Sequence, residues 1–309
     1  MSEPSSDKKP KAAIIGLGAM GMGMALSLIR EGVDVAGCDV SPAAVERLNA
    51  AGGRGAMSPA GAAAGADAVI SVVVNAAQTE TVLFGENGCA AAMPEGAVFI
   101  SCATMAPDAA RALARRLEAQ GRLYLDAPIS GGAKRAAEGA LTILTSGSAA
   151  AYAKARAPLA AMAQTVHELG AEPGIAAAFK MVNQLLAGVH IAAACEAITF
   201  AGKQGLDLAK VYEVITGAAG NSWMFENRVP HVLDGDYTPL SAVNIFTKDL
   251  GIVMDMGRSS NFPVPMAATA LQLFTMTSAS GMGGDDDASV ARFYAATAGV
   301  TLPEKAGKA

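Results

Sequence analysis

Gly16, Gly18 and Gly21 follow directly on the apolar run Ala12–Ile15, and a stretch without proline then continues to Arg30. That order reads as strand, tight turn and helix. Glycines suit so sharp a turn and a backbone that must approach a pyrophosphate closely. The free N–H groups at a helix start then receive anionic oxygens. The segment Gly16-Leu17-Gly18-Ala19-Met20-Gly21 is therefore a candidate dinucleotide-binding loop. In a chain with 34 glycines the spacing also fits a plain glycine-rich turn. Two neighbouring features favour the first reading. The match opens the folded part of the chain, and a second strand-like run, Val33–Cys38, ends at Asp39, 23 residues after Gly16. An acidic residue there accepts the adenosine ribose hydroxyls. Its carboxylate would repel a 2'-phosphate, and Val40 and Ser41 follow it where an NADP site more often carries arginine. The expected cofactor is NAD rather than NADP.

Three further clusters could carry chemistry. Asp126–Gly132, D-A-P-I-S-G-G, lies at the end of a strand-like run. Ligands of open α/β sheets bind beyond the carboxyl ends of strands. The Ser130-Gly131-Gly132 turn offers successive N–H groups and one hydroxyl to a carboxylate; an ordinary tight loop fits the spacing equally well. Lys180 and Asn183 share one face of a helix at i, i+3, in almost entirely apolar company. A lysine losing hydration reaches its neutral form more easily, which suits a general acid/base. A lysine snorkelling off a buried helix fits the same pattern. Lys248-Asp249, within F-T-K-D-L-G, reads either as a surface pair or, given its apolar flanks, as part of a site.

Composition excludes several classes. With 309 residues, 52% of them hydrophobic, the chain can form two domains with a large core, and its net charge of -5 has no basic cluster of the kind that binds nucleic acid. Ala12–Ile29 is apolar, uncharged and preceded by lysines, as in a signal peptide or membrane span, but its glycines fall at turn positions. No membrane association is expected. Four widely separated cysteines without a C-x-x-C pair and three isolated histidines argue against disulfides and against a metal site. The chain reads as soluble and cytoplasmic.

Strand-like and helix-like segments alternate from Lys11 to about Pro173. Ala68–Val74, Ala97–Ser101, Leu123–Asp126, Leu141–Ser146 and Thr165–Leu169 read as strands, and Pro107–Gln120 and Ala149–Met162 as helices. This alternation predicts an α/β Rossmann domain, a doubly wound and mostly parallel sheet, over residues 11–173. A polar tail, expected to be disordered, precedes it over residues 1–10. Residues 174–309 carry almost no strand signal. Ile175–Lys203 reads as one long helix, followed by helices around Asp207–Thr216, Leu240–Arg258 and Val264–Ser280, which predicts an all-α second domain over residues 174–309.

Four motifs in order, G-L-G-A-M-G, D-A-P-I-S-G-G, K-M-V-N-Q and K-D-L, make the chain resemble the 3-hydroxyacid dehydrogenase family, which includes 3-hydroxyisobutyrate dehydrogenase and tartronate semialdehyde reductase. The resemblance runs from about Lys11 to about Phe293, and the tract Asn221–Val253 looks most like the L-threonate dehydrogenase branch. It implies NAD-dependent oxidation of the C2 hydroxyl of a four-carbon sugar acid, with tartronate semialdehyde or 3-hydroxyisobutyrate as other substrates. It also implies Lys180 as the catalytic lysine, Asn183 as a substrate ligand and Ser130, Gly131 and Gly132 as the carboxylate-binding turn. Lys248 matches a lysine near the nicotinamide, and Thr104 a threonine beside the cofactor. Val73-Val74 stand where the family usually has Leu-Pro at the cofactor cleft, Ala103 replaces a serine, and Ala176 replaces the second glycine of a Gly-x-Gly. A homodimer or homotetramer is implied, built through the long helix. Trp223, Met224 and Phe225 are candidates for the pocket wall or for plain core. The rival of another class is a non-catalytic dinucleotide-binding relative, a group that tends to lose the lysine.

Overall fold

The computed structural model describes residues 9–305. Of the tail expected over residues 1–10, residues 1–8 lie outside the described residues, and Lys9 and Pro10 are exposed and without regular structure. The chain divides into two compact units, Met1–Lys180 and Met181–Ala309.

The first unit alternates strands and helices in chain order: β1 Lys11–Ile15, α1 Ala19–Arg30, β2 Asp34–Cys38, α2 Pro42–Ala50, β3 Arg54–Gly55, α3 Pro59–Ala63, β4 Ala68–Ser71, α4 Ala76–Phe84, β5 Val98–Ser101 and α5 Pro107–Glu118. It continues with β6 Leu123–Asp126, β7 Ile129–Ser130, α6 Gly132–Glu138, β8 Leu141–Gly147, α7 Ala149–Met162, β9 Ala163–Glu168 and the start of α8, Ile175–Lys203. The sheet order is β3-β2-β1-β4-β5-β6-β8-β7, with β9 beside β8. From β3 to β6 every neighbour is parallel, whereas β8 runs antiparallel to β6 and β7. The chain steps outward from β1 through β2 to β3 and returns to β4 on the other side of β1, so the loop after β1 opens at the topological switch point.

Strands β1, β2, β4, β5 and β6 are buried on both faces, which is why they read as continuous apolar runs. Ile14, Ile70, Ile100 and Leu125 pack beneath α1, α6 and α7. Ile15, Val69, Phe99 and Tyr124 pack beneath α3, α4 and α5. The membrane-like run Ala12–Ile29 is divided between β1, the glycine loop and α1. Strand β4 ends at Ser71 rather than Val74, because the chain turns into α4, whose first turn is capped by the Asn75 side chain accepting from Gln78 N.

The second unit is helical: the remainder of α8, then α9 Leu208–Thr216, α10 Trp223–Asp234, α11 Val243–Ser259, α12 Pro265–Thr277 and α13 Val290–Ala298. They enclose Ile191, Ile198, Val229, Phe246, Leu250 and Phe274. Helix α8 is long and apolar enough to cross a membrane by length and composition, and half of its most apolar window is buried inside the protein. Helix α10 lies outside the helix ranges read from the sequence, and it carries Pro230 in its interior. The helix nevertheless forms, capped by Ser222 accepting from Phe225 N and ended by left-handed Gly235.

A buried ionic cluster ties α10 to the segment before α13. Arg228 Nε and Nη2 reach Asp287 Oδ1 and Oδ2 at 2.5 and 3.1 Å. His231 Nδ1 lies 3.1 Å from Asp286 Oδ1, and Leu240 N donates to Asp286 Oδ2 at 2.9 Å. The hydrogen bond to Asp286 raises the His231 pKa above its ordinary value, against the opposing effect of burial. Burial alone would raise the Asp286 carboxyl, but His231 and the backbone amides hold it below the ordinary value. The His231 contribution is therefore complete below pH 6.5 and is lost as pH rises through the raised folded pKa. Calorimetric unfolding from pH 6 to 9 should show a loss of about 0.5–1.5 kcal/mol from this pair in the wild type, and His231→Gln should remove that component of the pH dependence.

Candidate active site

The glycine loop is shaped by close approach. Gly16 has φ +95°, and a Cβ on it would stand 2.7 Å from Val72 O; one on Gly21 would stand 1.9 Å from Gly16 O. Gly18 caps α1 in extended conformation without any side-chain cap, and a Cβ there would meet nothing within 4 Å. The first-turn amides of α1, at Ala19, Met20 and Gly21, thus start a helix whose cap carries no side chain. This cradle fits the pyrophosphate of a dinucleotide. Asp39, just past β2, fastens the loop: its Oδ2 accepts from Leu17 N at 2.6 Å and its Oδ1 from Ser41 N at 2.8 Å. Val73 and Val74 follow β4 and Thr104 follows β5. The expected cofactor residues of this unit therefore lie beyond the carboxyl ends of β1, β2, β4 and β5.

Lys180 is only 7% exposed, and its Nζ donates to Ile129 O at 3.0 Å. Ile129 immediately precedes Ser130. Ser130 pairs with Thr142 of β8, while Gly131 and Gly132 are exposed, with φ of +134° and +76°. Two features named separately from the sequence, the buried lysine and the Ser-Gly-Gly turn, are thereby brought to one place. Asp126 is a different matter. It heads the D-A-P-I-S-G-G motif, yet it is fully buried and turned away from the turn: its Oδ2 accepts from Gly174 N and Ala177 N, both at 2.9 Å.

Asn183 and Lys248 belong to the second unit, where a polar chain joins them. Asn183 Nδ2 donates to Gln184 Oε1 at 2.9 Å, Gln184 Nε2 donates to Asp249 Oδ2 at 2.5 Å, and Asp249 Oδ1 pairs with Lys248 Nζ. Asp249 is 1% exposed, so Lys248-Asp249 is not a plain surface pair. Gln184 has no role in the sequence reading, and Asp249 enters it only as the neighbour of Lys248. The only sequence signal for them is a polar side chain beside each expected site residue in apolar surroundings. Of the candidate pocket-wall residues, Phe225 is core, stacked on Tyr212 with ring centroids 6.1 Å apart, while Trp223 is exposed.

The four cysteines are buried, and burial pushes the thiols of Cys38 up to about 11 and of Cys89 and Cys102 up to about 12. None has the depressed pKa of a thiolate nucleophile. Among the described residues no group of three or more His, Cys, Asp or Glu is arranged to hold a metal ion.

Comparison with known proteins gives the family. Residues 11–170 match the family model of the NAD binding domain of 6-phosphogluconate dehydrogenase, and residues 174–294 that described as NAD-binding of NADP-dependent 3-hydroxyisobutyrate dehydrogenase. An L-threonate dehydrogenase of Cupriavidus necator is 55% identical over 293 residues, covering 95% of this chain and 98% of the relative. One from Haemophilus influenzae is 48% identical, covering 95% and 97%. A solved structure of 3-hydroxyisobutyrate dehydrogenase from Salmonella typhimurium superposes with a TM-score of 0.88 at 45% identity, over 92% of this chain and all of that one. The chain belongs to the 3-hydroxyisobutyrate dehydrogenase-related family of 3-hydroxyacid dehydrogenases. It is an NAD(P)-dependent hydroxyacid dehydrogenase, with a Rossmann sheet followed by a helical region as the resemblance implied.

In this dehydrogenase the Asn183–Gln184–Asp249–Lys248 chain makes a clear stability prediction. Asp249→Ala leaves the buried Gln184 amide without its acceptor, and should lower unfolding stability by about 1–3 kcal/mol in urea titrations.

Proposed function

We propose that this dehydrogenase oxidises the C2 hydroxyl of L-threonate to the 2-oxo acid with NAD, Lys180 acting as general acid/base. The observation that carries this reading is the Lys180 amine, 3.0 Å from the carbonyl that leads into the Ser130-Gly131-Gly132 turn. The Ser130 hydroxyl and the amides of Gly131 and Gly132 hold the substrate carboxylate. A hydroxyl on the adjacent carbon then faces the amine, which takes its proton during oxidation and returns it in the reverse direction. Asn183 orients the substrate hydroxyl. Bound NAD supplies the hydride acceptor.

The choice of L-threonate rests on the names of the relatives at 46–55% identity. The preference for NAD rests on Asp39, whose carboxylate suits ribose hydroxyls and repels a 2'-phosphate. Residues 11–173 hold the dinucleotide, with Val73, Val74 and Thr104 along its cleft. Residues 174–309, with Lys248 toward the nicotinamide end, complete the substrate site and build a homodimer or homotetramer. Val182, Leu186 and Phe200 leave exposed apolar side chains on α8 that suit cover by another copy. The four free, buried cysteines suit a reducing cytoplasm.

Lys180→Ala should lower turnover about 100- to 10,000-fold with NAD affinity retained; turnover at the wild-type rate would remove the mechanism. An assay of L-threonate, D-erythronate, D-glycerate and 3-hydroxyisobutyrate should give the highest kcat/KM for L-threonate. Faster oxidation of 3-hydroxyisobutyrate, or faster reduction of tartronate semialdehyde, would reassign the substrate. No turnover with any of them would favour a non-catalytic relative. Asp39→Asn should move the NADP-to-NAD ratio of kcat/KM toward NADP by about tenfold, since it removes a like charge.

A further inference from the structure

The start of α8 is held to the sheet by two neighbouring side chains. Asp126, the last residue of β6, and Ser146 of β8 are register partners. Asp126 Oδ2 accepts from Gly174 N and Ala177 N, and Ser146 Oγ accepts from Ala176 N, each at 2.9 Å. Three backbone amides at the helix start are thus fixed to adjacent points on two strands. The turn that aims them is demanding. Gly174 has φ +92°, and a Cβ there would stand 2.8 Å from Pro107 O.

Lys180 lies three residues beyond Ala177, less than one helical turn. Its amine returns to Ile129 O, three residues beyond Asp126. The short segment Asp126–Ile129 therefore grips the helix twice, by its first turn and by the lysine head. We propose that Asp126 is a positioning residue for Lys180, its carboxylate fixing the helix start so that the amine is presented at the Ser130 turn. This rests on the reading of Lys180 as the acid/base. The choice of residue supports it. Burial pushes the Asp126 carboxyl up to about 6, against the lowering effect of the Ala177 and Gly174 amides. A serine cap would avoid that desolvation but offers a shorter reach. Asp126 spans two amides from a strand end. Displacing a catalytic group by about 1 Å costs about 100-fold in rate.

The test uses the purified full chain with L-threonate and saturating NAD, below the melting temperature of every variant. Asp126→Ala should lower kcat about 10- to 100-fold while the Kd for NAD stays within about twofold. Asp126→Asn, whose amide oxygen can accept from the same two N–H groups, should return kcat to within about threefold of wild type. Gly174→Ala, which disturbs the same anchor without touching the carboxylate, should reproduce the kcat loss, and it carries the test if Asp126→Ala does not fold. Wild-type kcat in folded Asp126→Ala or in Gly174→Ala overturns the proposal, as does an asparagine variant as slow as the alanine one. Lys180→Ala run alongside separates the two readings. If it is inactive while the anchor variants keep full kcat, only the positioning role falls; if it retains turnover, the acid/base reading itself falls.

Discussion

The backbone amides at a helix start are the constraint around which this site is arranged. Four such groups have no partner within the helix, and they need oxygen acceptors. At α8 the protein supplies those acceptors itself, from Asp126 and Ser146. At α1 the cap is a glycine without a side chain, and Asp39 holds the preceding residue, Leu17, rather than the helix. One helix start is satisfied internally and becomes a rigid mount. The other opens at the carboxyl edge of the sheet, where the proposed function places the phosphate oxygens of the dinucleotide. The same physics gives a mount and a receptor because only one of the two carries a buried carboxylate from a neighbouring strand.

Local features were legible in the sequence and long-range pairings were not. Helices α7 and α8 occupy the ranges read from the sequence; Ser148 marks the start of α7, and Gly174 and Gln204-Gly205 flank α8. The glycine loop and Asp39 were legible because their spacing is set by one strand-helix-strand unit, β1-α1-β2. Strands β3 and β7, two residues each, are too short for any periodicity to reveal. Gln184 and Asp249 stand 65 residues apart in the chain and meet only through folding. Asp126 was legible as part of a motif but not in its orientation, since nothing local says that its partners are the amides of Gly174 and Ala177.

The departures from the family pattern find room in the structure. Ala176 stands where a second glycine is usual, yet its side chain is fully buried and its amide still donates to Ser146. The helix start needs an N–H at that position and tolerates a methyl group. Ala103, in place of a serine, is buried with the apolar face beneath α5. Val74, past the end of β4, donates its amide to Gln78 Oε1 at the start of α4. At Val74 the change adds a donor, because the proline usual there has no N–H to give.

The burial of Cys38, Cys89, Cys102 and Cys195 has a practical side. Thiols enclosed in this way, and pushed toward the protonated form, react slowly with maleimides and alkylating reagents. A cysteine introduced on an exposed helix would be labelled ahead of all four. The native chain is therefore ready for attachment of a single fluorophore or spin label without prior removal of its own sulfur.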